Sequence, residues 1–78
     1  MSSSSIRRLV DAAPFRPFEI HLAEGRAIPV HHREFIMISP ADLDFVVYQP
    51  DGAIDVIATN LVTGLKLKAP RRKPSSQK

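Results

Sequence analysis

The sequence predicts a mainly β domain: a short N-terminal helix followed by about five antiparallel strands in a small, partly open barrel. Three observations carry that prediction. Between Phe18 and Lys68 the apolar residues come in short runs at two-residue spacing, the period of a half-buried strand. Turn chemistry separates the runs, at Glu24-Gly25, at Ser39-Pro40-Ala41-Asp42 and at Pro50-Asp51-Gly52. Two runs, 35–38 and 45–48, are apolar on both faces. That suits a strongly bent sheet closing on itself, whereas a single open sheet would leave two edges unpaired.

The helix is placed from Ile6 to about Ala13, with Ser4 or Ser5 as its N-cap. Ile6, Leu9, Val10 and Ala13 share one face, while Arg7, Arg8 and Asp11 point away. Pro14 ends it, because the residue before a proline is driven out of the α region. Two turns do not hold together in water alone, so this helix must pack on something. Phe18-Glu19-Ile20-His21-Leu22 then alternates strictly, with Phe18, Ile20 and Leu22 inward. Ile28 and Val30 belong to its hairpin partner, in one of two registers. A two-residue loop at Glu24-Gly25 sets Ile20 opposite Pro29 and turns Ile28 to the polar face. A three-residue loop with Gly25 in the left-handed region pairs Ile20 with Ile28 and Phe18 with Val30. The second keeps both apolar sets on one side and is the expected register. Pro29 has no amide hydrogen for a ladder, so it belongs at an edge or a bulge.

His31-His32-Arg33-Glu34 is a polar bend leading into Phe35-Ile36-Met37-Ile38. Leu43 to Gln49 contains Phe45-Val46-Val47-Tyr48, the most β-prone stretch in the chain. In Pro50-Asp51-Gly52 the proline presets φ and the glycine accepts a positive φ. Ile54 to Ala58 is the next strand, and Thr59-Asn60-Leu61 leaves room for one tight turn. The last strand runs from Val62 to Lys68, with Leu65 and Leu67 inward and Lys66 and Lys68 outward. The expected core is Phe18, Ile20, Leu22, Ile28, Val30, Phe45, Val47, Val56 and Leu65. The aromatic residues Phe15, Phe18, Phe35, Phe45 and Tyr48 read as core rather than as a stacking platform, with Phe15 and Tyr48 the two whose exposure is to be checked.

Seventy-eight residues and 8.7 kDa allow one domain. The expected layout is a frayed N-terminus over 1–5, the folded domain over 6–68, and a disordered Pro-, Ser- and Lys/Arg-rich tail over 69–78. There is no cysteine, which excludes disulfides, thiol chemistry and Cys-ligated metals. No apolar run approaches the roughly 20 residues that span a bilayer. No h-region follows Met1-Ser2-Ser3-Ser4-Ser5-Ile6-Arg7-Arg8, so the expectation is a soluble cytoplasmic protein without a membrane partner. A domain this small buries only about 60% of its chain surface, which favours a homo-oligomer through an open edge.

Charge is segregated. Lys66, Lys68, Arg71, Arg72, Lys73 and Lys78 follow one another with no acid between them, leaving five basic and eight acidic residues in 1–65, a net of −3. The sequence pI of about 9.8 therefore belongs to the tail. Lys66, Lys68, Arg71, Arg72 and Lys73 are the candidate polyanion-binding residues, able to neutralise phosphates without reading sequence. No aromatic residue lies among them for base stacking. The alternative is a tail that only solubilises.

Other chemistry has little to stand on. In the expected register Glu19, His21 and His31 share the outward face of the first hairpin, so they either bind a metal or form a solvated polar face. His31 and His32 are adjacent and point to opposite faces of a strand. The serines cluster in the termini apart from Ser39, and Gly25, Gly52 and Gly64 are isolated rather than gathered in a phosphate loop. A metal-dependent enzyme ranks last, and no catalytic residue, cofactor or small-molecule substrate is expected.

Two resemblances add to this reading. Pro14-Phe15-Arg16-Pro17-Phe18-Glu19-Ile20-His21-Leu22-Ala23-Glu24-Gly25-Arg26, with His32, Glu34-Phe35, Ile38-Ser39, Pro50-Asp51-Gly52 and Leu61-Val62-Thr63, resembles a family of short uncharacterised bacterial proteins over residues 13–67. Arg33 departs from it, standing where that family tends to have proline. The resemblance implies no function. The order of helix, strand, acidic-Gly turn, long bent second strand and a last strand reached through a one-turn step is similar to the Sm-like fold, which includes a ring-forming bacterial RNA chaperone, and to SH3-like barrels. That chaperone's Tyr-Lys-His segment would fall near Ile57-Ala58-Thr59-Asn60, where none of those residues occurs. The expected function is a non-enzymatic small-barrel interaction module that self-associates and binds RNA or another polyanion through its tail. The alternative is a protein–protein accessory module with no nucleic-acid role.

Overall fold

Strict alternation from Phe18 to Leu22 gives the chain its first strand, and the expected register holds residue for residue. The computed structural model describes residues 3–67. In it β1 (Phe18–Leu22) pairs with β2 (Ala27–Val30), with Ile20 opposite Ile28 and Phe18 opposite Val30. Gly25 takes φ 107° in the three-residue loop, which the Leu22 and Gly25 amides close on Arg26 O and Leu22 O. Pro29 sits on an edge strand, as its missing donor requires.

The other elements are α1 (Ser3–Val10), β3 (Ile36–Ile38), β4 (Asp44–Tyr48), β5 (Ile54–Ala58) and β6 (Val62–Leu67), with single 3-10 turns at Arg33–Phe35 and Thr59–Leu61. The mainly β class is therefore observed, but with six strands, and they do not close into a barrel. One sheet has the order β2-β1-β6 and the other β3-β4-β5. The expected long bent second strand is two strands in different sheets. The 3-10 turn at Arg33–Phe35 spends its backbone groups internally, as in Phe35 N–H to His32 O at 3.0 Å, and so interrupts the ladder between them. The turn at Thr59–Leu61 carries the chain from β5 back to β6 in the same way.

The inner faces of the two sheets meet in one core of Phe18, Ile20, Leu22, Ile28, Val30, Ile36, Phe45, Val47, Ile57 and Val62, closed at one end by Ile6 of α1. Seven of the nine expected core residues are there. Leu65 is only half-buried, because β6 is an edge strand. Val56 is a correction: it is 68% exposed and Ile57 takes the inward place. In β4 and β5 Phe45 faces Ile57 and Val47 faces Asp55, so the inward set of β5 is 55 and 57. Asp55 is tolerated there because it is half-buried at an edge, with Arg26 Nη1 4.0 Å from its carboxylate.

The helix spans Ser3–Val10, three residues earlier at each end than expected, and begins inside the stretch expected to be frayed; Ser3 is buried. Its C-terminus is set by Arg33. The guanidinium donates to Val10 O at 2.7 Å and to Ala12 O, and lies 5.7 Å from the Phe15 ring centroid. A cation on unpaired terminal carbonyls suits the negative end of the helix dipole. Ala13-Pro14 is a cis peptide. The tail residues Lys68, Arg71, Arg72 and Lys73 lie outside the described residues, and no described helix is long and apolar enough to cross a membrane.

Candidate interaction surface

Strand pairing fixes what each sheet shows to solvent. In β3-β4-β5, Met37 lies opposite Val46 and Val46 opposite Val56, while Tyr48 lies opposite Ile54. All five side chains share the face away from the core. Met37 and Val56 are each 68% exposed, and Tyr48 and Ile54 are also exposed. They make two adjacent cross-strand rows without a charge, bordered by Asp44. The patch is on the order of 500 Å², near the upper end of what a monomeric protein leaves in water.

The outward face of β2-β1-β6 is chemically different. It carries Glu19, His21, Pro29 and Lys66, with Lys66 opposite Glu19. His21 Nε2 and Glu19 Oε1 are 3.2 Å apart, so two of the three candidate metal ligands do meet. His31 is exposed beyond the end of β2, and His32 packs edge-on against Phe35 at 5.3 Å between ring centroids. Among the described residues no three His, Asp or Glu side chains are placed to share a metal ion. Of the candidate polyanion residues only Lys66 is described, and it is exposed.

A groove of about 530 Å³ opens between the start of α1, the β3–β4 turn and the Thr59–Leu61 turn, lined by Ser3, Arg7, Asp42, Leu43, Thr59 and Asn60 among others. Its charges are already paired: Arg7 Nη2 donates to Asp42 Oδ1 at 2.8 Å and to Ser39 O at 3.4 Å. The Arg7 hydrogen bond, then that of Ser3, holds the Asp42 carboxyl below the usual carboxylate range. An acid so stabilised as an anion is a weak base, and among the described residues no histidine lines the groove. Asp42 adopts φ 62°, a left-handed turn position that aspartate tolerates better than most residues. Thr59 Oγ1 is buried and has no hydrogen-bond partner among the described residues.

Compared with family models, curated proteins and solved structures, the chain matches none. The surface itself is then the guide to function. The sequence reading placed Tyr48 and Val56 in the core, and both are corrected here by their exposure on this face; Met37 and Ile54 carry no expectation from the sequence. The signal for them is the double-faced apolarity of 35–38 and 45–48, which also fits a face left for a partner.

Proposed function

We propose that this chain is a non-catalytic interaction module that binds protein through the outer face of β3-β4-β5. The observation that carries this reading is the uncharged set Met37, Tyr48, Ile54 and Val56, exposed on one side of the sheet around the half-buried Val46. Core-like side chains on a sheet face cost solubility unless a partner covers them, and contact surfaces favour aromatic and Met side chains. The helix-first order and the single turn before the last strand support a distant Sm-like or SH3-like layout, with the two sheets left unclosed. The test is affinity capture with wild type, with a Met37→Lys/Tyr48→Lys variant and with a Glu19→Ala/His21→Ala variant. The expected result is a partner retained by wild type and by the first-sheet variant and lost by the second-sheet variant at unchanged melting temperature. A partner retained by all three overturns the reading.

A second reading rests on charge segregation. The six cations from Lys66 onward begin on the exposed surface of β6 and include no acid, so they suit RNA or another polyanion bound without sequence preference. Log affinity should then fall linearly with log salt. Replacing Arg71, Arg72 and Lys73 by Ala should weaken binding to all sequences alike and reduce the slope by about three at most. Binding that is insensitive to salt overturns it.

A further inference from the structure

We propose that a second copy of this chain pairs with the free edge of β5, across a two-fold axis at Val56, to make a continuous six-stranded sheet. The inference rests on reading β3-β4-β5 as the contact sheet and names the edge and the partner.

Each sheet has two edges, and three of the four are protected. β2 carries Pro29, β3 has three residues with α1 packed against it, and β6 carries Lys66 and a bulge at Thr63. Among the described residues, only β5 has neither proline, lysine nor bulge and packs extensively on β4 alone, so it lacks the devices that normally block edge pairing. Its backbone is also turned the right way. Gln49 N–H bonds Ala53 O at 2.8 Å and Thr59 N–H bonds Leu43 O at 2.9 Å. Antiparallel ladders alternate, so Asp55 and Ile57 point their backbone groups at β4, while Ile54, Val56 and Ala58 point theirs away from the sheet.

The occupant follows from self-complementarity. An antiparallel pair centred on Val56 sets Val56 against its own copy, Ile54 against Ala58, and Asp55 against Ile57. No like charges face each other directly. The two Asp55 carboxylates fall on a diagonal on the core side, each with Arg26 4.0 Å away. The Pro50-Asp51-Gly52 turn and the Thr59–Leu61 turn end the edge on both sides, so the pair closes as a dimer rather than growing. The Met37-Val46-Val56 row of each copy then runs on into that of the other, doubling the apolar platform.

The chain has no cysteine, so a single introduced thiol reports proximity cleanly. The experiment is sedimentation of the full chain over a wide concentration range, with oxidative cross-linking of two single-cysteine variants. Wild type should sediment as a dimer at high concentration. Val56→Cys should form a disulfide-linked dimer, since the central hydrogen-bonded pair has Cα atoms about 5.5 Å apart, within disulfide reach. Met37→Cys, two strands from the axis, should not. Val56→Pro removes only a donor that faces off the sheet, and should be monomeric with its fold intact. Val56→Lys tests the same edge by charge, and decides the matter if the proline variant does not fold. A monomeric wild type overturns the proposal, as does a dimer that survives both substitutions or cross-links equally well through Met37→Cys. Neither result bears on the capture assay, which tests the contact face by itself.

Discussion

The two sheets share one core and differ on their outer faces. On β1 the residues between Phe18, Ile20 and Leu22 are Glu19 and His21; on β4 those flanking Phe45 and Val47 are Val46 and Tyr48. Both strands bury the same alternate positions. Solvent therefore dictates the outward residues of the first sheet and does not dictate those of the second. One sheet is a scaffold with a wet side, and the other has two apolar sides with one left uncovered.

The strongest way to break that contrast is to exchange the roles of one residue from each sheet. Phe18 is fully buried between the sheets, so Phe18→Ala should cost about 3–5 kcal/mol. That approaches the whole stability of so small a domain. Val56→Ala on the outer face should stay within about 0.5 kcal/mol when measured on the monomer. Chemical denaturation of both variants checks the pair, and similar losses would mean that Val56 is core after all.

The same contrast shows where the sequence was readable. The first hairpin could be registered because Glu19 and His21 mark one face as polar, so only one loop length keeps Ile20 and Ile28 together. In the second hairpin 46 and 47 are both valine and 54 and 57 both isoleucine, so the pattern alone picks no face. Loop chemistry would have picked it. Pro50-Asp51-Gly52 closes as Ala23-Glu24-Gly25 does, with the glycine at positive φ and the same pair of backbone bonds. Counting outward from such a loop pairs Phe45 with Ile57 and leaves Val56 outside. The Arg33 cap and the Ser3–Asp42 contact were not legible, because each joins segments more than 20 residues apart without an apolar period. The basic tail was legible as charge alone.

Arg33 sharpens the account of what holds α1 over the core. Arg33→Ala should lose the two helix-end carbonyl contacts and the stacking on Phe15, destabilising by about 1–2 kcal/mol. Melting curves and loss of helical ellipticity check it, and an unchanged helix signal would show that the element is anchored without the Arg33 contacts. At the joint between the sheets, Thr59 has a buried hydroxyl with no partner among the described residues. Thr59→Val keeps the shape and removes the unpaired group, so it should be neutral or stabilising by up to about 1 kcal/mol. A clear loss of stability would place an unseen partner on that hydroxyl.

The smallest effect concerns Asp42. Its carboxyl is held below the usual range in the folded state, so its contribution is present above the unfolded carboxylate range near pH 4 and is lost as pH falls through the folded value. The stability difference between wild type and Asp42→Asn should therefore be constant near neutrality and shrink in acid. A difference that grows in acid would contradict the Arg7 and Ser3 contacts as its source.

Contact through the second sheet rather than the first can be read from amide hydrogen exchange of the wild-type chain at low and at high concentration. The amides of Ile54 and Val56 point off the sheet, and should gain protection as concentration rises, while those on the outer edges of β2 and β6 do not change. Protection that appears on β2 or β6, or that is the same on β5 at both concentrations, would contradict the account.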